Sequence, residues 1–584
     1  MMSAGRVLVR LMVPMALLLA GSLARAELRV QVDGVSGSVK RNIEAHLAIA
    51  RLAEDARASA RASDARVRRL HERAPSDIRA ALQALGYYSG VVDASLAGEP
   101  GNRLVTYVVT RGPRSRWREP DIRLTGEAAY GNWRDRWLKD LPLKAGKSVH
   151  HGRYEAAKRW LLDRLYADGY LEAHIVTARM DVDPSQAEAA IHWEVESGPR
   201  FHFGAIRLEQ DVLNAEFAQR FVGVTAGSPF STQRLADLQL GLMQSGYFDD
   251  VRIDADRSAA VGHSVPVVVR AHPARSQRYE MGVGYGTDSG PRAKVGTEFR
   301  RLNRRGHRLR ANLQTAVQGS TLAMDYAIPV GDVTTDVLRF HGQAERAQVG
   351  DADIDQYELG ARLEDGWYGM RRALYVRYAR EQFNFGSGPH QRADILVPGI
   401  ELLWQQGDDL LFTRRGFSVR LDAHGGTAGV LSDTDFVQVS GAAHLVLPLG
   451  DRSRLLLRGA MGLVEARDFD ALPPSERFFT GGDRSVRGYA FESLSPENAA
   501  GDDIGGSHFF NQSVEVDRLV YKDFGVAAFF DRGGASRRVF GGQHEAVGVG
   551  IRYKSRIGMI RVDVAHPLDG SANFRIHLTL GPDL

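Results

Sequence analysis

Three groupings of residues in this 584-residue chain have the types and spacing for chemistry. His150-His151 sets two imidazoles side by side, but no acid or third ligand stands at ligating distance in sequence, and the pair reads as part of a loop. Asp351, Asp353 and Asp355 alternate as in a calcium loop, without the glycine and distal glutamate that such a loop needs, and read as a solvated extracellular turn. The third grouping is a charge pair in two separate segments. Arg487 lies in Phe479-Thr480-Gly481-Gly482-Asp483-Arg484-Ser485-Val486-Arg487-Gly488-Tyr489, and Asp531 in Gly525-Val526-Ala527-Ala528-Phe529-Phe530-Asp531-Arg532-Gly533. The second segment reads as a strand with Val526, Ala528 and Phe530 on one face and Ala527, Phe529 and Asp531 on the other. One face suits lipid; the other carries an acid that needs a partner when enclosed. Arg487, between Val486 and the flexible Gly488, is the expected partner.

The chain has no cysteine, which excludes thiol nucleophiles, thiolate metal sites and disulfides. It has no G-x-S-x-G motif and no Ser/His/Asp set, so no catalytic, cofactor-binding or metal-binding residue is assigned and the protein is not expected to be an enzyme. Lys and Arg number 75 against 71 Asp and Glu, a net charge of +4 that does not argue for nucleic acid. The arginine-rich stretch from Arg51 to Arg73 is interspersed with Glu54, Asp55, Asp64 and Glu72 and striped by Leu52, Val67 and Leu70, so it reads as a solvated helix face.

The elements that must position the charge pair follow from periodicity. Arg6 and Arg10 precede an apolar run from Leu11 to Ala20, and Ala24-Arg25-Ala26 supplies a small-residue cleavage site, so residues 1–26 are expected to be a signal peptide. Mean hydropathy is −0.27, and no later segment reaches the ~20 apolar residues of a spanning helix. From 27 to 273 a weak repeat recurs. Leu85-Gly86-Tyr87-Tyr88, Asp168-Gly169-Tyr170-Leu171 and Ser245-Gly246-Tyr247-Phe248 each close an amphipathic helix and open a strand. Each unit reads strand, helix, helix, strand, strand, an α+β module. The expected boundaries are 27–115, 116–201 and 202–273.

After Pro273 helical periodicity gives way to alternation, as in Arg308-Leu309-Arg310-Ala311-Asn312-Leu313-Gln314. Alternating segments of about ten residues over 274–584 are the signature of an outer-membrane β-barrel of about 16 antiparallel strands. The segment from Arg467 to Ser507 is too long for a hairpin, and its length predicts a functional loop folded into the barrel. The closing stretch Asn573 to Gly581 places Phe574, Ile576, Leu578 and Leu580 on one face. The opening strand Tyr279 to Gly286 carries Gly282, Gly284 and Gly286 at every second position. Glycine packs nothing and loses much entropy in a strand, so the seam between first and last strands is expected to be poorly zipped.

The three repeats, the Gly481-Gly482 to Arg487-Gly488-Tyr489 loop, the Phe529-Phe530-Asp531-Arg532-Gly533 strand, and the stretches Gly548 to Tyr553 and Gly558 to Leu568 resemble the POTRA-barrel superfamily of BamA and the two-partner-secretion transporters. The repeat count and the closing Leu580-Gly581-Pro582-Asp583-Leu584 are similar to its TamA branch, outer-membrane subunits of the translocation and assembly module; Leu584 departs from the aromatic residue that commonly ends such barrels. The resemblance implies POTRA repeats in the periplasm before a 16-stranded outer-membrane barrel. It implies assembly of autotransporters and other unfolded outer-membrane proteins, an inner-membrane-anchored TamB-like partner meeting the POTRA repeats, and contact with outer-membrane lipids. It matches Gly481, Gly482, Arg487, Gly488, Tyr489, Phe529, Asp531 and Gly533 to a loop-to-wall lock, and Gly282, Gly284, Gly286, Phe574, Ile576, Leu578 and Leu580 to a lateral gate. The alternatives within the superfamily are a general BamA-like insertase and a two-partner-type polypeptide secretion pore.

Overall fold

The computed structural model describes residues 27–100, 102–132, 137–286, 290–409, 412–556, 558–570 and 574–581. The expected signal peptide and Leu584 lie outside them. The chain divides into two compact units, one of residues 1–204, 226–233 and 257–265, the other of 205–225, 234–256 and 266–584.

In the first repeat, β1 (Glu27–Asp33) is followed by α1 (Gly37–His46), α2 (Ala48–Glu54), α3 (Ala56–Ala60) and α4 (Asp64–Gln83), then β2 (Val91–Glu99) and β3 (Asn102–Thr110). Four helical pieces stand where two were expected. Leu47 and Asp55 adopt extended backbone, and the Asp55 carboxylate accepts from the Arg57 and Ala58 amides, which starts a new helix inside the arginine-rich stretch. Leu52 and Val67 pack inward while the arginines stay in solvent. The sheet order is β1-β3-β2, with β1 parallel and β2 antiparallel to the central β3. Ile43, Leu47, Ile78 and Leu82 cover Val105 and Tyr107; each such aliphatic side chain contributes about 1.5–3 kcal/mol by leaving water.

The second repeat contains β4 (Arg116–Trp117), β5 (Asp121–Thr125), α5 (His151–Ala167), β6 (His174–Asp183) and β7 (Glu188–Glu196), with β5 parallel and β6 antiparallel to β7. His150 and His151 are not in a loop interior: His150 caps α5 and His151 begins it, with its Nε2 2.8 Å from the Tyr88 hydroxyl. The third repeat comprises β8 (His202–Glu209), α6 (Ala215–Gln219), α7 (Thr232–Gln244), β9 (Phe248–Ala255) and β10 (Ser264–Pro273) in sheet order β8-β10-β9. Gly86, Gly169 and Gly246, the helix-closing residues, have φ of +91°, +96° and +75°, the left-handed turn that glycine tolerates.

Sixteen strands then run in sequence order as one antiparallel sheet: β11 (Gln277–Gly286), β12 (Gly290–Phe299), β13 (Arg308–Ala316), β14 (Gly319–Pro329), β15 (Val337–Val349), β16 (Ala352–Trp367), β17 (Met370–Phe385), β18 (Gln391–Gly407), β19 (Gly416–Gly426), β20 (Phe436–Pro448), β21 (Ser453–Ala466), β22 (His508–Tyr521), β23 (Phe524–Ser536), β24 (His544–Ser555), β25 (Gly558–Pro567) and β26 (Arg575–Gly581). The alternation of residues becomes an alternation of surroundings. Met281, Val283, Leu359, Leu421, Val439, Met461, Val526, Val549 and Ile551 are exposed on the outside, whereas Glu381, Arg454, Glu515, Asp531, Arg552 and Asp563 are buried within. So large an exposed apolar band is at home in hydrocarbon and costly in water. Strands near the seam are short, with 10, 10 and 9 residues in β11 to β13, against 16, 16 and 17 in β16 to β18. Asp353 and Asp355 belong to β16 and not to a turn; Asp355 pairs with Arg346 across the hairpin at 2.7 Å, and Asp351 accepts from the Asp503 amide at 2.8 Å.

The β12–β13 turn is seated on the third repeat. The Asn214 amide donates to the Arg304 carbonyl at 2.9 Å, and the Tyr247 hydroxyl to the Gly306 carbonyl at 2.5 Å. Burial pushes the Tyr247 phenol up, which keeps it a donor. The Arg308 guanidinium lies over the same ring, 4.9 Å from its centroid. Gly306 has φ +76°, and a Cβ there would stand 2.4 Å from the Phe217 ring. Gly306→Val is therefore expected to unseat the third repeat from this turn. Limited proteolysis of the folded protein should show new cleavage around residues 210–225 and 300–307; an unchanged pattern would contradict the seating.

Candidate functional site

The loop of residues 467–507 joins β21 to β22 and turns back into the barrel, where Thr480, Val486, Arg487 and Tyr489 are buried. Arg487 is 2% exposed and Asp531, on β23, is fully enclosed. The pair is bidentate: Arg487 Nε donates to one Asp531 carboxylate oxygen at 2.7 Å and Nη2 to the other at 2.9 Å. The Arg487 backbone amide adds a third bond at 3.1 Å. Nη1 donates to Glu515 on β22 at 2.8 Å and to Asp563 on β25 at 3.0 Å. The guanidinium lies over the Phe529 ring, with Cζ 3.3 Å from the centroid. All five N–H donors of a guanidinium point in fixed directions, and this pocket meets them with three carboxylates and the Ser513 hydroxyl while Phe529 covers one face, a geometry that lysine does not reproduce.

Charge is balanced around it. Arg552 on β24 donates to Glu515 at 2.7 Å and to Asp563 at 2.5 Å, and Arg458 on β21 shares the Ser513 hydroxyl with Arg487. Arg487, Arg552 and Arg458 thus face Asp531, Glu515 and Asp563. Two glycines of β24 make room. A Cβ on Gly548 would lie 2.2 Å from the Phe529 ring, and one on Gly550 would lie 1.8 Å from the Asp563 carboxylate.

The other residues expected in the lock take distinct places. Gly481 and Gly482 have φ of +108° and +98°, and a Cβ on Gly481 would strike the Ala490 carbonyl at 2.3 Å. The Gly488 amide donates to His577 Nε2 on β26 at 2.9 Å, and the Tyr489 hydroxyl donates to Asp569 at 2.8 Å. Gly533 lies opposite Asn511, whose side chain fills the space of a Cβ. Glu515, Arg552, Asp563 and His577 were not among the expected lock residues. Their signal was present, a charged or polar residue at the inward position of strands such as Val514-Glu515-Val516 and Val562-Asp563-Val564, but which inward residues converge is decided by register.

The loop has a second anchorage. Glu476, 2% exposed, pairs with Arg377 on β17 and lies 3.0 Å from His424 Nε2 on β19. The Ser475 amide reaches Glu381 at 3.4 Å. The loop therefore bridges two stretches of wall, β17–β19 and β22–β26.

At the seam, the sixteen-strand path begins at β11 and ends at β26, and no register among the described residues joins them. Gly282, Gly284 and Gly286 lie in β11, where Tyr279, Met281, Val283 and Tyr285 are exposed. Ile576, Leu578 and Leu580 alternate with His577 in β26. Phe574 was expected within that strand but precedes it; β26 begins at Arg575, and the Phe574 ring packs 4.7 Å from His566.

Residues 302–582 match the Omp85 superfamily domain. Residues 29–111 match POTRA domain TamA domain 1. Outer membrane protein assembly factor BamA of Nitratidesulfovibrio vulgaris is 35% identical over 106 residues, 17% of this chain and 13% of that protein, so the chain aligns with under two thirds of this relative's length. The crystal structure of BamA from Haemophilus ducreyi lacking POTRA domains 1–3 is 16% identical with a TM-score of 0.61, covering 79% of this chain and 99% of that one. The fold is thus shared with BamA. CdiB from Acinetobacter baumannii is 14% identical with a TM-score of 0.44, covering 81% of this chain and 91% of that one. The barrel lies in the outer membrane, with the POTRA-like repeats in the periplasm.

Removing one member of a buried ion pair costs about 3–5 kcal/mol. Gly550→Ala, which drives a methyl into Asp563, and Arg487→Lys, which keeps the charge but loses the fork, are both expected to lower the temperature at which the folded, fast-migrating band disappears on a heat-modifiability gel. A wild-type transition in both variants would show that the cluster does not hold the barrel wall.

Proposed function

We propose that this protein is the outer-membrane subunit of a TamA-type assembly factor. It inserts or translocates autotransporter-type and other β-barrel proteins by adding their strands to its own seam, in concert with an inner-membrane-anchored TamB-like partner that meets the POTRA repeats. The match of residues 29–111 and the three repeats support the TamA branch over the general insertase. The observation that carries the mechanism is that, among the described residues, β11 and β26 meet unpaired in a barrel that otherwise pairs every neighbour.

The physics needs no covalent chemistry. In hydrocarbon an unpaired backbone group costs several kcal/mol, so a strand edge opened toward lipid is a strong template for an incoming strand. The substrate's strand gains the same bonds by augmentation. The short strands at the seam favour a thinner bilayer there, which lowers the cost of entry. The loop occupying the barrel interior argues against the secretion-pore reading in this conformation.

Because the chain has no native cysteine, pairs placed at Gly282 or Gly284 and at Ile576 or Leu578 report only the engineered bond. In outer-membrane vesicles, oxidising such a pair is expected to lower insertion of a test barrel protein at least tenfold, with recovery on reduction. Undiminished insertion with the seam locked would exclude lateral insertion, and continued export of a soluble polypeptide through the locked barrel would favour the pore.

A further inference from the structure

The last strand is held from inside the barrel by a contact that the first strand lacks. Among the described residues β26 pairs only with β25, over Arg575 to Gly581, and a single-ladder edge of seven residues is the type of element that frays. Its inward residue His577 is 1% exposed and gripped by the loop at both ring nitrogens. The Gly488 amide is 2.9 Å from Nε2. A backbone N–H only donates, so Nε2 is the unprotonated nitrogen and Nδ1 carries the hydrogen. Nδ1 then donates to the Asp483 carboxylate, with which it makes a close contact. His577 lies directly opposite Asp563, which itself holds Arg487. Two residues along the loop, Tyr489 is tied to Asp569 in the β25–β26 connection. The segment 483–489 is thus joined to β22, β23, β25 and β26 together. No hydrogen bond or ion pair among the described residues joins the loop to β11, whose Met281 and Val283 are 85% and 92% exposed.

We propose that His577 is the positioning residue through which the loop clasps the final strand, so that the seam opens by departure of β11 from a β26 that stays in place, and β26 is freed only when the loop lets go. The proposal deepens the lateral-seam reading and rests on it, but it is tested without substrate.

The test is amide hydrogen exchange, resolved by strand, on the full chain in detergent for the wild type and for His577→Ala, Asp483→Ala and His577→Gln. In the wild type, β26 is expected to be better protected than β11. Both alanine variants should exchange roughly tenfold faster in β26, the scale of losing one or two hydrogen bonds, with β11 unchanged. Glutamine keeps one donor and one acceptor and should restore most of the protection. Asp483 lies in the loop, so its variant reports the clasp even if His577→Ala fails to fold. Unchanged β26 exchange in Asp483→Ala, or loosening spread equally over all strands, would overturn the proposal. Failure of the lateral-seam reading shows up separately, as wild-type protein that inserts no substrate while its exchange pattern stands.

Discussion

A guanidinium enclosed in a barrel wall has to be neutralised and hydrogen-bonded where it sits, and the arrangement around Arg487 follows from that constraint. Its five donors meet Asp531, Glu515, Asp563 and Ser513, and its flat face meets Phe529. Glu515 and Asp563 are in turn shared with Arg552, so a second guanidinium offsets the acids that Arg487 does not neutralise alone. A cluster of this kind contributes less to raw stability than its short distances suggest, because desolvation offsets much of the attraction. What it supplies is position: the loop has one geometry that satisfies every group, and a displaced loop leaves charges uncompensated.

That position matters because the barrel is incomplete. Among the described residues fifteen strand interfaces are zipped in register, and the sixteenth, between β11 and β26, is not. The same rule that forces barrels to close makes an unzipped edge reactive toward any chain able to supply a strand. The loop spans the interior from Glu476 on the β17–β19 side to Arg487 and His577 on the β22–β26 side. It braces one flank of the seam and leaves the other to its ladder with β12.

Much of this was legible in the residues. Alternation of apolar and polar positions after Pro273 identified the barrel, because inside and outside impose opposite chemistry on neighbouring residues. The glycines at 86, 169 and 246 marked three helix ends, because a left-handed turn tolerates few other residues. Arg487 and Asp531 were paired because an inward acid on a strand needs a partner and the loop offered an arginine held next to glycine. What escaped was decided at long range. Glu515, Arg552 and Asp563 meet Arg487 through the registers of β22, β24 and β25, and a one-residue slip in any of them would point the charge at lipid. His577 looked like one polar residue among apolar neighbours until the loop was seen against it. The splitting of the first repeat's helices at Leu47 and Asp55 was hidden by continuous helical composition.

Charge compensation around Arg487, and not the mere presence of each residue, fixes the loop in the barrel. The most direct measurement compares Arg487→Ala, Asp531→Asn and the combined variant by accessibility of a cysteine placed at Ser485 in the loop to a membrane-impermeant thiol reagent. Each single variant is expected to expose the loop, because each leaves unbalanced charge in the cluster, and the double variant is expected to be less exposed than either. Exposure in the double variant equal to or greater than that of either single variant would contradict it.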